Sequence, residues 1–145
     1  MTLKTKLTLL LTVFTLGAVG PAAAHSINNK TLRPAFGASA TDIWQATCGA
    51  GSSHMFAQIR DQSADNNLVS LVVVSGVRGA TTTDLTGGDP TYSPGISVNA
   101  GNATYTMLVN HTRTGGQAYS IEYHCENASG GHTETTTPTA ESQNN

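Results

Sequence analysis

Histidine is the side chain in this sequence best suited to hold a transition metal, and it stands at five positions: His25, His54, His111, His124 and His132. His25 is set apart by what precedes it. Lys4 and Lys6 make a positive start, residues 7–20 are apolar and uncharged, and Pro21-Ala22-Ala23-Ala24 offers a small-residue cleavage site. That is the order of a secretory signal peptide, with cleavage expected after Ala24. His25 would then carry the free α-amine of the mature chain. A terminal His presents its amine and a ring nitrogen to one metal as a chelate, and a second His completes a three-nitrogen set that suits Cu(II). His54 and His111 are the expected partners, because both fall near strand ends, where loops meet and sites form. Met55 beside His54 is a ligand suited to Cu(I). His124 falls on the polar face of a strand, and His132 lies in the C-terminal tail.

The terminal His with a second His resembles the histidine brace of copper-dependent polysaccharide monooxygenases and of periplasmic copper carriers, both β-sandwich proteins. The resemblance rests on His25; it implies copper as the cofactor, with His25 as its anchor and His54 or His111 as the second ligand. The rest of the chain carries little that could do chemistry. It has no Gly-x-Ser-x-Gly elbow, no His-Glu-x-x-His, no phosphate-cradling glycine loop and no cysteine left over as a nucleophile. Its carboxylates are scattered. Asp84 and Asp89 sit among Gly and Thr and could offer oxygens to Ca²⁺, but Asp and Gly are ordinary turn formers, and the turn reading is preferred. Four Asn-x-Ser/Thr sequons begin at Asn29, Asn102, Asn110 and Asn127. A chain this rich in Asn, Ser and Thr carries about that many by chance, and the signal segment looks bacterial.

The elements that must position these residues follow from compartment and pattern. The apolar stretch of residues 7–20 is too short for a comfortable membrane span, which needs about 20 residues, and no second such run appears near the C-terminus. The mature protein is therefore expected in the periplasm or secreted, with no membrane span. Loss of Lys4 and Lys6 leaves five basic residues, Lys30, Arg33, Arg60, Arg78 and Arg113, against nine acidic ones, a net charge of −4. That balance is thinly spread and argues against nucleic acid, which asks for clustered Lys and Arg. Cys48 and Cys125 are the two cysteines, and in an exported protein a lone pair is most simply a disulfide.

From residue 42 to 126 the pattern is period two, parted by turn residues. Trp44, Ala46 and Cys48 fall on one face of a strand; so do Met55, Ala57 and Ile59, and Tyr105, Met107 and Val109. Residues 68–74 are nearly continuous in Leu and Val, as in a strand covered on both faces, and Ile96 with Val98 suggests a short strand. In the last strand Tyr119, Ile121, Tyr123 and Cys125 point one way, and Ser120, Glu122, His124 and Glu126 the other. Arg113-Thr114-Gly115-Gly116 reads as the turn of a hairpin joining the final two strands. The fold expected is all-β, a small antiparallel sandwich whose core-facing Cys48 and Cys125 bridge its layers. Tyr123-His124-Cys125 resembles the Tyr-x-Cys segment of immunoglobulin domains, which also join an early and a late strand by a disulfide beside a buried Trp. The resemblance implies an immunoglobulin-like architecture rather than membership, since Trp44 precedes its cysteine.

Around the domain, residues 1–24 are the signal peptide, 25–41 an N-terminal arm or edge strand, and 127–145 a disordered tail rich in Thr, Ser and Asn. The composition suits a non-enzymatic exported domain with an interaction or structural role, its arm adding a strand to a protein partner or to a second copy. The alternative is a periplasmic copper-binding protein anchored at His25.

Overall fold

A computed structural model describes residues 24–144, with side chains placed to residue 140. The expected signal segment, up to residue 23, lies outside the described residues. Ten strands follow in order: β1 (His25–Leu32), β2 (Thr41–Thr47), β3 (His54–Asp61), β4 (Val69–Ser75), β5 (Arg78–Thr83), β6 (Ile96–Val98), β7 (Thr104–His111), β8 (Gln117–Glu126), β9 (His132–Thr133) and β10 (Thr139–Asn144). A short 3-10 segment, Pro34–Ser39, links β1 to β2. The strands form two packed antiparallel sheets: β1-β8-β3-β6 with β9 also on β8, and β10-β2-β7-β4-β5.

The alternation that marks the strands in the sequence is the alternation of burial. Trp44, Ala46 and Cys48 face inward with Met55, Ala57 and Ile59, with Tyr105, Met107 and Val109, and with Tyr119, Ile121, Tyr123 and Cys125. Side chains on a pleated strand point to opposite faces in turn, so one face of each sheet builds the core. The two layers are joined covalently by Cys48–Cys125, whose Cα atoms stand 5.5 Å apart. A polar bridge runs alongside: buried Trp44 donates from Nε1 to the Tyr119 hydroxyl at 3.0 Å, and Tyr119 donates to Asp42 Oδ2 at 2.6 Å. Burial, and then Asp42 accepting that proton, push the Tyr119 phenol far up, so it stays a donor at any ordinary pH.

Three expectations are corrected. Strand β4 is not covered on both faces. Val69, Leu71 and Val73 are buried while Val72 and Val74 are partly exposed on the outside, because β-branched residues suit a strand surface as well as a core. The turn at residues 113–116 does not close a hairpin, since β7 pairs with β2 and β4 whereas β8 pairs with β1, β3 and β9. It carries the chain from one sheet to the other, a path that needs the same turn residues. Finally, residues 127–144 supply β9 and β10, on β8 and β2, where the composition predicts no structure. Their pairing is by backbone, which composition does not report.

Candidate metal centre

The outer face of β8 carries a compact group of side chains of the types that can ligate a metal, and its position follows from strand register. His54 on β3 lies opposite Glu126 on β8, and Glu126 lies opposite His132 on β9. Residues directly opposite in an antiparallel pair share a face with Cβ atoms about 5 Å apart. One row across three strands therefore reads His54, Glu126, His132. His124, two residues before Glu126 on β8, returns to the same face and lies opposite Phe56.

Glu126 accepts from both neighbouring imidazoles, His54 Nε2 at 2.8 Å and His124 Nε2 at 2.7 Å. Burial pushes the Glu126 carboxyl up, but the hydrogen bonds and charge of His124 and His54 outweigh it and hold it below the usual range. A neutral imidazole that donates from Nε2 keeps its lone pair on Nδ1. The Nδ1 of His124 is buried and has no hydrogen-bond partner among the described residues.

The rings form a stack. Phe56 lies 4.9 Å from His124, centroid to centroid, and His124 lies 4.0 Å from His132 at an interplanar angle of 15°. A Cβ on Gly95 would overlap the edge of the Phe56 ring, so glycine lets that loop lie on the ring without displacing it. The ligating atoms of His124, Glu126 and His132 all lie within 4.8 Å of one another. Donors about 2.1 Å from a tetrahedral ion stand about 3.4 Å apart, so small shifts of these side chains would bring the three to the spacing one ion requires. A metal sits in the plane of an imidazole that binds it, so the stacked pair must open. His132 is exposed, on a strand of two residues, and is the ring free to turn.

His25, His54 and His111 are not gathered at one point. His25 lies opposite Tyr123 and shares the inner face of the sheet, its ring 5.7 Å from that tyrosine. The cluster stands on the other face. His111 is buried on β7 in the second sheet, and both its ring nitrogens are engaged: Asn67 Nδ2 donates to Nδ1 at 3.0 Å, and Nε2 donates to Gly37 O at 2.9 Å. His54 alone of the three stands in the cluster. The residues the sequence reading passed over are His124, Glu126 and His132. Alternation already puts His124 and Glu126 on one outward face, but His132 joins them only through the pairing of β9. The loop aspartates serve the backbone instead: Asp84 Oδ2 accepts from the Asp61 amide at 2.8 Å and Asp89 Oδ1 from the Thr91 amide at 2.6 Å.

No protein-family model, no curated protein and no solved structure matches the chain.

Proposed function

We propose that the protein is an exported, metal-binding β-sandwich that holds one divalent transition-metal ion on the outer face of β8, through His124, Glu126 and His132 with His54 beside them. The observation that carries this reading is the convergence of one carboxylate and three imidazoles from three strands, with the ligating atoms of three of them within 4.8 Å. Two imidazoles and a carboxylate form a borderline nitrogen and oxygen set that takes Zn²⁺ and, more tightly, Cu²⁺. Export rests on the positive, apolar and small-residue order of residues 1–24. The N-terminal arm is β1, paired with β8 of its own chain and last in its sheet, so strand addition by a partner would use its other edge.

Calorimetric titration of the mature protein with Cu²⁺ and Zn²⁺ tests the site. One equivalent is expected to bind, and His124→Ala or His132→Ala should weaken binding at least tenfold. His25→Ala should leave it unchanged; if His25→Ala abolishes binding and His124→Ala does not, the ion belongs to the terminal amine and the β8 site is wrong.

A further inference from the structure

The C-terminal segment that carries His132 does more than supply a ligand. Beyond His25, where β1 ends on β8 opposite Tyr123, β9 takes over the same edge, with Thr133 opposite Cys125 and His132 opposite Glu126. The chain then crosses the open side of the sandwich directly over the disulfide. Thr135 bridges to Cys48 and its hydroxyl accepts from the Cys125 amide at 2.9 Å. Glu134 O accepts from the Gly49 amide at 2.8 Å, and a Cβ on Gly49 would stand 2.7 Å from Glu134 Cβ. The Thr136 amide donates to Thr47 O at 3.0 Å, the Thr47 amide donates to Thr136 Oγ1 at 2.8 Å, and β10 then pairs with β2.

This strap is held by hydrogen bonds rather than by burial. Residues 127–140 contain no large apolar side chain, and His132, Glu134, Thr136, Thr137, Thr139 and Ala140 are exposed. Beneath it Cys48 and Cys125 are fully buried. Segments with few apolar contacts open locally at a small fraction of the cost of global unfolding. The metal ligands are divided across that opening: His132 travels with the strap, whereas His54, His124 and Glu126 stay on β3 and β8.

We infer that the metal ion is the clasp of this strap, so that occupancy of the site decides how often residues 132–144 lift from the disulfide and from the edge of β2. The inference rests on the metal-binding reading above. An ion that needs His132 binds the closed form and favours it by a factor of about [M]/Kd, roughly a hundredfold at 100 Kd.

Hydrogen exchange on the mature protein, with Zn²⁺ as the probe and with chelator in its place, tests it. Saturating Zn²⁺ should slow the Gly49, Cys125 and Thr136 amides by ten- to a hundredfold, while amides in the β3–β8 pairing stay as they are. His132→Ala, an exposed position, should leave those rates at the metal-free level with Zn²⁺ present. Zn²⁺ binding that depends on His132 but leaves all three amides unchanged would overturn the clasp and leave the metal site standing. Absence of any Zn²⁺ or Cu²⁺ binding by calorimetry would remove both.

Discussion

Two carboxylates in this protein have opposite surroundings. Glu126, on the outer face, is held low by the two histidines that donate to it, despite its burial. Asp61, at the end of β3, is fully buried; burial pushes its carboxyl up, the Ser63 amide pulls it down, and the charges of Asp84 and Asp65 push it up again, to about 6. The ordinary value is 3.8, so the folded state binds the proton more tightly than the unfolded chain. Asp61 therefore costs stability above pH 6, and that cost is relieved as pH falls from about 6 toward 4. Asp61→Asn keeps an oxygen for the Ser63 amide, which now donates to Asp61 Oδ1 at 2.9 Å. Urea unfolding should find the variant more stable than the parent at pH 7.5, with the gap closing by pH 4. A gap that widens toward acid would show that the carboxylate is stabilised where it lies.

At the scale of elements, two of the crossings between the sheets, β3–β4 and β7–β8, are pinned to each other by one residue. Asn67, in the β3–β4 connection, donates to His111 Nδ1 and to Arg113 O, and accepts from the Arg113 amide at 2.7 Å. Gln117, at the start of β8, adds a bond to Asn67 O at 2.8 Å. Asn67→Ala removes these side-chain bonds at a buried site and should cost about 2–3 kcal/mol, read as a lower urea midpoint with an unchanged slope. This corner explains why the strands were legible and their connections were not. The inward set from Trp44 to Cys125 follows from alternation, which local sequence carries. A turn such as residues 113–116 has the same composition whether it closes a hairpin or changes sheet. His111 illustrates the same limit: its place near a strand end is visible in the sequence, but its capture by Asn67 and Gly37 depends on residues 44 and 74 positions away.

For the whole molecule, the interlayer disulfide joins residues 77 apart in the chain. A loop of that length gives about 4–5 kcal/mol of stabilisation in the chain-entropy model. Replacing both cysteines, Cys48→Ala with Cys125→Ala, should lower stability by about that amount less native-state strain, measured by thermal and urea unfolding. The strap matters at the same scale, because it closes the side of the sandwich where Cys48 and Cys125 meet. His132 is thus a strand residue and, on the proposed reading, a ligand that links the outer face to the closing segment.

Fold class, the inward faces of β2, β3, β7 and β8 and the pairing of the two cysteines were determined by the sequence itself, because side-chain alternation and a lone cysteine pair are local or countable. The sequence also carried the outward placement of His124 and Glu126. The tertiary structure alone decided which histidine meets which. Register sets His54 and His132 on either side of Glu126, puts His25 on the opposite face and sends His111 to the other sheet. Register and strand order arise from backbone pairing between distant segments, and backbone groups are the same in every residue but proline. No count of side chains reveals them until the chain has folded.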